Sequence, residues 1–307
     1  MTAPFTVRRM TPVDKPAMLA ISSRIWEGTD YIPGVFDEWV QDTEGEFAAV
    51  CIGDRLVGCG KLTFLTPRDA WLEGMRKDPQ VKEKGMAEFL GRSFLDRLAP
   101  RAGLQSVRFS TYFSNTASIT VNERLGFRLR TTLSLKAWTG TLEEVQRHAA
   151  ASGARPTVVR DAAAIGAFLR TGDEGYDDLF VEGWRAIPRT SEVLTSRYCG
   201  TGTCRALQSD GRIIALSIVT FVRVSDRTMA RLVRLDAPDD ASRAILLADV
   251  YAQAAAVMRE HSARSLEIEW MIPRRPALHA FAASKGLKSW ERDDDFLVYE
   301  LPQGAVR

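Results

Sequence analysis

The sequence predicts a mixed α/β fold of two tandem domains of one kind, each a mostly antiparallel sheet flanked by helices. Three observations support this prediction. The chain has 307 residues, enough for two domains at roughly 150 residues each. Strand-like and helix-like stretches alternate along it. The same order of elements occurs twice, which indicates an internal repeat of one α/β fold, the second copy being degenerate.

The first half opens with a short strand and two helices. Phe5–Arg9 has the apolar content of a strand. Thr11 followed by Pro12 is a typical helix start, which predicts a helix to about Ile25. Phe36–Val40 predicts a second, short helix. Along the chain, these helices lie between the first strand and the other predicted strands.

A hairpin and a further strand follow. Gly53, Asp54 and Arg55 form a predicted turn between strands Glu46–Ile52 and Leu56–Phe64. Trp71–Lys77 predicts the next strand.

The remaining elements of the first half alternate between helix and strand. Apolar residues recur at spacings of three or four in Gly85–Leu98, which predicts a helix. Val107–Tyr112 predicts a strand, and Asn115–Leu125 a helix that ends at Gly126. Phe127–Trp138 predicts a final pair of strands.

A cluster of helix-breaking residues divides the chain. It comprises residues 152–156 and follows a predicted helix at Thr141–Ala151. We therefore expect a catalytic domain at 1–150 and a degenerate domain at 155–307. The predicted elements of the second half are, in order, Thr157–Val159, Ala162–Leu169, a less regular stretch to Thr201, Cys204–Gln208, Ile213–Val222, Arg231–Leu235, Ala241–His261, Leu266–Met271, Ala277–Ser284 and Phe296–Leu301.

Composition narrows the class of protein. Charged residues are 26%, hydrophobic residues 45% and the net charge is +2, which excludes disordered and fibrous classes. So small a charge gives no reason to expect a nucleic-acid or membrane partner. No apolar run has the length of a signal peptide or a membrane span, so we expect a soluble cytoplasmic protein. The cysteines and histidines are not clustered, so we expect no metal.

The most specific signal is the segment from Asp78 to Ala87, between a predicted strand and a predicted helix. Gly85 and Ala87 are small, so a ligand can approach the backbone closely. The first N–H groups of the helix have no internal partner and form an anion site. Four cations lie within nine residues here. Arg76 and Lys77 precede the segment, and Lys82 and Lys84 lie in it. An ordinary strand–helix turn with a solvated charge run is the alternative explanation.

Lys82-x-x-Gly85-x-Ala87 resembles the pyrophosphate loop of the GCN5-related N-acetyltransferase (GNAT) family. A second GNAT signature, a helix ending in Leu-Gly-Phe, is matched by 115–127. The resemblance covers Phe5 to about Trp138, with lysine at position 82 where the family has glutamine or arginine. It implies acetyl-coenzyme A (acetyl-CoA) as co-substrate, bound where the fourth and fifth strands separate. The residues it implies for acetyl-CoA are Met75, Arg76, Lys77, Lys82, Glu83, Lys84, Gly85, Met86, Ala87 and Asn115.

The resemblance also implies a base and an acid. Glu73 is the candidate base, on one strand face with Met75 and Lys77 by simple alternation. An exposed glutamate on the strand is the alternative. Family members commonly have an acidic tyrosine on the last helix, and here Asn122 stands in its place. Tyr112 is the candidate substitute, against a purely packing role.

The run from Ile21 to Pro33, with Trp39 and Asp42, resembles the histidine N-α-acetyltransferase branch of the family. It implies a small primary amine as acceptor, such as a free amino acid. The candidate acceptor-binding residues are Asp30 for an ammonium group, Arg24 for a carboxylate, and Tyr31 and Trp39 as an aromatic wall. Bracing of a turn and core packing are the alternatives for these side chains.

Two other functions stay open, and so does the oligomeric state, monomer or homodimer. Acetylation of a peptide or protein N-terminus or lysine is one, and a non-catalytic acyl-CoA sensor or interaction module is the other. The second half lacks the loop, since residues 236–243 have no glycine and several acids. It is therefore expected to bind no acetyl-CoA of its own.

Overall fold

The structure is a computed structural model that describes residues 4–150, 155–172, 175–224 and 226–302. The chain divides into two compact units. Unit 1 is Met1–Arg130 with Val298–Arg307, and unit 2 is Thr131–Leu297. Each is a mostly antiparallel sheet flanked by helices, so the predicted fold class is confirmed.

The elements are numbered in chain order. They are β1 (Phe5–Arg9), α1 (Lys15–Ser22), α2 (Ile32–Gln41), β2 (Glu46–Ile52), β3 (Arg55–Thr66), β4 (Asp69–Lys77), α3 (Met86–Leu98), β5 (Ser106–Tyr112), α4 (Thr116–Arg124), β6 (Arg128–Thr141), α5 (Leu142–Ala149), β7 (Thr157–Val158), α6 (Ala162–Thr171), β8 (Leu179–Glu182), β9 (Arg185–Pro188), α7 (Ser191–Val193), β10 (Cys204–Ser209), β11 (Arg212–Val224), β12 (Arg227–Asp236), α8 (Asp240–Glu260), β13 (Ser265–Pro273), α9 (Pro276–Ser284), β14 (Lys288–Ser289) and β15 (Phe296–Leu301).

The sheet of unit 1 has the order β1-β2-β3-β4-β5. Neighbours are antiparallel except β4 and β5, which are parallel. The end of β15 lies beside β5, where Tyr299 stacks on Phe109 with ring centroids 5.2 Å apart. Arg108 donates to Glu300 at 2.7 Å. A strand from the end of the chain therefore completes this unit.

Helices cover both faces of the unit 1 sheet. On one face, Phe36 and Trp39 of α2 pack against Phe47 of β2 in a single apolar cluster with α1. On the other face, α3 lies against β3, and Gly58 leaves room for it. A Cβ at Gly58 would lie 2.5 Å from the Arg76 carbonyl oxygen and would also collide with the Met86 side chain.

Unit 2 repeats this arrangement. Its sheet has the order β7-β10-β11-β12-β13-β6, with β14 also paired to β6. Strands β12 and β13 are parallel, as β4 and β5 are in unit 1. The long helix α8 buries Leu246, Val250 and Tyr251 in a core that includes Trp270 of β13 and Phe281 of α9. The hairpin β8-β9 forms a separate small sheet.

Two sequence predictions are wrong in detail. The predicted strand pair at Phe127–Trp138 is the single strand β6, which pairs with β13 from Leu133 to Thr141 without a break. The stretch before Thr201, predicted to be irregular, contains the hairpin β8-β9. All four residues of β8 are buried, so the strand shows none of the alternation on which the prediction relied.

The domain ranges 1–150 and 155–307 stay a prediction. By compactness, residues 131–150 group with unit 2 and residues 298–307 with unit 1. Of the predicted boundary cluster, Ser152, Gly153 and Ala154 lie outside the described residues.

Three further findings concern the described part of the chain. None of its helices is long and apolar enough to cross a membrane. It contains no group of three or more His, Cys, Asp or Glu residues placed to hold a metal ion. The four cysteines are buried free thiols.

The close approach of α3 to β3 can be tested at Gly58. Gly58→Ala is expected to lower the free energy of unfolding by about 1–3 kcal/mol, because the backbone oxygen of Arg76 cannot move aside. Gly34→Ala in α2 is the matched control, since its Cβ would meet no atom within 4 Å and alanine favours the helix by up to about 1 kcal/mol. Denaturant titration measures both, and equal midpoints would contradict the prediction.

Candidate functional site

Strand β4 separates from β5 part-way along its length. The two are in register only from Asp69↔Ser106 to Trp71↔Arg108 within the described residues. Beyond Trp71, the backbone of β4 toward Lys77 has no register partner on β5. A parallel strand released in this way exposes N–H and C=O groups to which an extended ligand can bind as an added strand.

A bulge at Gly74 accompanies this separation. Opposite β3, Cys59 pairs with Arg76 while Lys61 pairs with Glu73, so β4 carries one extra residue here. Gly74 has φ +66°, and a Cβ there would lie 2.5 Å from the Trp39 indole. Both the backbone angle and the packing therefore require glycine.

The bulge changes which side chains share a face. Cys59 and Lys61 lie on one face of β3, so their partners Arg76 and Glu73 lie on one face of β4. The predicted face-sharing of Glu73 with Met75 and Lys77 is therefore wrong, because simple alternation fails across a bulge. Glu73 and Arg76 instead point toward the side covered by α1 and α2, which we call the acceptor face.

The segment after β4 is anchored by Asp78. This buried carboxylate accepts from Arg24 at 3.1 Å and Arg55 at 2.9 Å, and also from the N–H of Gln80 at 3.0 Å. Burial by itself raises the pKa of Asp78, but the hydrogen bonds from Gln80, Arg24 and Arg55 outweigh burial and hold that pKa below its usual value. Lys77 donates to the Val81 carbonyl oxygen at 2.6 Å. The segment is thus fixed at its start.

Helix α3 begins directly after this segment. Gly85 caps it with φ +90°, and the space where a Cβ would stand holds no atom within 4 Å. The first helical hydrogen bond is donated by Phe89 to the Gly85 carbonyl oxygen, so the amides before Phe89 are left for another acceptor. Lys82, Glu83 and Lys84 are exposed, Met86 is buried and Ala87 is half-buried. Free amides and two lysines at a helix start are suited to a pyrophosphate.

On the acceptor face, Arg76 forms a buried ion pair. Its guanidinium donates to Asp30 at 2.9 and 3.1 Å, and the two side chains are 9% and 0% exposed. Asp30 also accepts from Ser22 at 2.9 Å. A third guanidinium nitrogen of Arg76 donates to the Met75 carbonyl oxygen at 3.0 Å. The carboxylate of Asp30, predicted to hold an ammonium group, is already bound by Arg76.

Two exposed aromatic rings flank this pair. The Arg76 guanidinium lies 4.3 Å from the ring centroid of Trp26 and 4.9 Å from that of Tyr31. Trp26 is 60% and Tyr31 45% exposed, whereas Trp39 is buried beneath them and touches Tyr31 edge-on. Burial of the hydroxyl end raises the pKa of Tyr31 to about 12, so the hydroxyl is protonated at neutral pH while part of the ring stays exposed. The two rings offer an apolar surface to a ligand.

Glu73 is half-buried and held by a neighbour. Thr63 of β3 donates its hydroxyl to Glu73 Oε1 at 2.6 Å. Lys61, opposite Glu73 in register, is almost wholly buried and pairs with Asp42. Glu73 is therefore a carboxylate with a fixed orientation on the acceptor face.

The three candidate residues at or beyond the end of β5 have local partners. Asn115 is exposed and caps α4 by accepting from the Ser118 N–H at 3.2 Å. Asn122 is buried and donates to the Ser118 carbonyl oxygen at 2.9 Å. Tyr112 is half-buried at the end of β5, with its ring 5.0 Å from that of Phe113. Of these three residues, Tyr112 has a hydroxyl group. It lies on β5, the strand that separates from β4.

The sequence reasoning missed three residues that shape the site. Trp26 supplies an exposed ring, Thr63 orients Glu73, and Asp78 binds Arg24, which was expected to bind an acceptor carboxylate. A tryptophan two residues before Gly28, in a run that is otherwise mostly polar, is a usable signal for the first. The other two depend on long-range partners and leave no local pattern.

In unit 2 the corresponding strands also separate, but different groups follow the separation. Strand β12 is in register with β13 up to Leu232↔Trp270. Just beyond, Arg234 donates to both oxygens of Asp236 at 2.8 and 2.9 Å, and the two side chains are 3% and 4% exposed. The start of α8 is occupied by its own side chains, because Asp239 accepts from the Ser242 N–H. This unit has no glycine loop like that of unit 1 in its described residues.

Comparison with known proteins identifies the segment that holds the site. Residues 15–127, a little over a third of the chain, match the model of the GNAT family of acetyltransferases. This segment is therefore similar to the acetyltransferase domains of that family. GNAT enzymes use acetyl-CoA, so the expected enzyme class, an acetyl-CoA-dependent N-acetyltransferase, is confirmed. The match covers the elements of unit 1 from α1 to α4 and ends before β6.

Solved structures share the fold over nearly the whole chain. A GCN5-related N-acetyltransferase of Sphaerobacter thermophilus is 12% identical with a TM-score of 0.60, over 98% of this chain and 96% of its own. A chain of Thermoplasma acidophilum is 15% identical with a TM-score of 0.56, over 96% and 98%. The GCN5-related glucosamine N-acetyltransferase region of a fungal β-N-acetylglucosaminidase is 13% identical with a TM-score of 0.61, over 97% and 38%. A search of curated proteins finds no match. These likenesses show the fold of both units.

The Arg76–Asp30 pair can be tested by removing its negative charge. Asp30→Asn is expected to lower the free energy of unfolding by about 3–5 kcal/mol, because it leaves the guanidinium buried without a counter-charge. Asp37→Asn, which breaks an exposed pair with Lys15, is the control and is expected to cost about 0–1 kcal/mol. Chemical denaturation compares the two, and equal losses would contradict a special role for the buried pair.

Proposed function

We propose that this protein transfers the acetyl group of acetyl-CoA to a primary amine of a small molecule, with Glu73 as the base. The observation that carries the proposal is the bulge at Gly74. It lies close to where β4 leaves β5, and it places Glu73 and Arg76 on one face, beside exposed aromatic rings. The resemblance to histidine N-α-acetyltransferases makes a free amino acid one hypothesis for the acceptor.

The residues of unit 1 fit acetyl-CoA. We propose that Lys82, Lys84 and the free amides at Gly85–Ala87 bind its pyrophosphate, since these donors lie at a helix start with no atom filling the space above Gly85. Backbone groups of Met75, Arg76 and Lys77, together with Asn115, are proposed to hold the pantetheine arm. Acetyl-CoA supplies an acetyl group on sulfur and a thiolate as leaving group.

The proposed reaction needs one proton acceptor and one proton donor. Glu73 takes a proton from the acceptor ammonium, so that the amine nitrogen has a free electron pair. The C–N bond then forms as the C–S bond breaks. The nitrogen's second proton passes through solvent to replace the one that Tyr112 gives to the sulfur, and Glu73 releases the first proton to water. A backbone N–H of β4 stabilises the negative charge that develops on the carbonyl oxygen. Tyr112 is the proposed donor to the departing sulfur, because Asn122 has no acidic proton and bonds within α4.

The acceptor is proposed to lie on the acceptor face. Tyr31 and Trp26 offer exposed rings there, and Trp39 supports Tyr31 from below. Asp30 and Arg24 are proposed to act through their partners Arg76 and Asp78, not by direct contact. The acceptor would then meet aromatic surface and the carboxylate of Glu73.

A non-catalytic acyl-CoA-binding module is the second candidate, and Asn122 in place of an acidic tyrosine favours it. The two are separated by incubating the protein with acetyl-CoA and a broad panel of amines, and following free thiol. Binding of acetyl-CoA without thiol release would support the module. Thiol release that depends on small amines supports the transferase, and release that needs peptides would favour a peptide or protein acceptor.

The proposed pyrophosphate site can be tested at Gly85. Gly85→Glu is expected to abolish acetyl-CoA binding, because it places a carboxylate among the donors. Gly103→Glu is the matched control, since Gly103 also has positive φ and open space around it but follows α3 instead of preceding it. Calorimetric titration with acetyl-CoA measures both. Tight binding retained by Gly85→Glu would rule out this site.

The role of Glu73 can be tested with Glu73→Gln. It is expected to lower kcat by about 100-fold or more, while affinity for acetyl-CoA stays within about twofold, because glutamine accepts no proton. Glu38→Gln, on the exposed side of α2, is the control and should keep full activity. Initial rates are measured between about pH 6 and 9. Equal rates for Glu73→Gln and the parent protein across this range would exclude Glu73 as the base.

A further inference from the structure

We infer that the acceptor is a primary amine that carries no carboxylate beside the amine and that rests an apolar or aromatic group on Trp26 and Tyr31. This inference rests on the proposed function and narrows its substrate class. Its basis is that the cations of the region are already paired with carboxylates of the protein, while the aromatic surface is open.

The first step concerns the cations. Recognition of a free amino acid usually includes a guanidinium that binds its carboxylate. Arg76 is bound to Asp30, whose side chain is 0% exposed, and Arg24 is bound to Asp78, whose side chain is 2% exposed. Lys61 is 1% exposed and paired with Asp42. Each cation therefore has a carboxylate partner inside the protein.

The second step concerns exchange of partners. A ligand carboxylate that took Arg76 from Asp30 would leave the Asp30 charge buried with only hydrogen bonds from Ser22 and the Ile32 N–H. An uncompensated buried charge is strongly unfavourable. Arg24 and Arg55 both pair with Asp78, which leaves one positive charge in excess. This charge lies at the start of the segment that precedes α3. It lies with the proposed phosphate site and not with the acceptor face.

The third step concerns Trp26. It is 60% exposed, and its φ of +47° is followed by +55° at Glu27 and +84° at Gly28. Tryptophan in the left-handed region is strained. The Arg76 guanidinium holds the ring by one contact at 4.3 Å, and Tyr31 lies on the same guanidinium at 4.9 Å. The fold thus holds two aromatic rings at the surface, with much of their area open to a ligand.

The fourth step concerns charge. Glu73 presents a carboxyl group on the acceptor face. Carboxyl oxygens accept hydrogen bonds from an ammonium group, whereas a carboxylate on the acceptor molecule has none to give. Aromatic rings add to the attraction for a cation. An amine with an aromatic or apolar group suits both Glu73 and the aromatic rings. A zwitterionic amino acid suits neither fully, because it also carries a carboxylate.

The experiment compares matched acceptors with the intact protein and acetyl-CoA. Each set holds an amine, the amino acid with the same side chain and the amide of that amino acid: histamine, histidine and histidinamide; phenethylamine, phenylalanine and phenylalaninamide. The amide removes the negative charge but keeps the size. We expect kcat/KM for the amine to exceed that for the amino acid by at least about tenfold, with the amide restoring most of the difference. Equal or greater kcat/KM for the free amino acids would overturn the inference while leaving the transferase in place.

Trp26→Ala tests the aromatic surface. It is expected to lower kcat/KM for phenethylamine at least about fivefold, with affinity for acetyl-CoA unchanged. Trp290→Ala is the matched control, because Trp290 is an equally exposed tryptophan (52%) in unit 2. An unchanged kcat/KM in Trp26→Ala would overturn this part of the inference. Transfer to no amine, with acetyl-CoA still bound, would overturn the proposed function itself.

Discussion

The site of unit 1 depends on one extra residue in strand β4. Gly74 takes a backbone angle that favours glycine and lies directly against the Trp39 indole, so the bulge is fixed from both sides. The bulge coincides with the place where β4 leaves β5, and it turns Arg76 onto the same face as Glu73. The exposed backbone, the carboxylate and the ion pair all follow from this single irregularity.

The Arg76–Asp30 pair organises what the bulge exposes. A buried ion pair is weak support for stability, but it fixes the geometry of the groups around it. Here it joins β4 to the segment that follows α1, and the guanidinium supports both Trp26 and Tyr31. The same contact that neutralises Arg76 therefore presents the aromatic surface. Charge and shape on the acceptor face have a common origin.

The two units share an arrangement of strands but differ in the groups that follow their parallel strand pairs. Both have a parallel strand pair that separates after a few residues. In unit 1 the separation is followed by a glycine at a helix start, with lysines around it. In unit 2 the separation is followed by a buried Arg234–Asp236 pair, and Asp239 caps the next helix. The difference lies in a few side chains and not in the order of strands.

The sequence by itself determined the order of most elements and the position of the loop before α3. These features depend on local spacing, such as the apolar periodicity of α3 and the glycine at its start, and local patterns survive in any one sequence. The tertiary structure alone decided which face Glu73 occupies, because one bulge reverses the alternation. It also decided the partners of Arg24 and Arg76, which lie 54 and 46 residues away along the chain. Only long-range pairing brings these charges together, and that pairing decides what kind of molecule the acceptor face can bind.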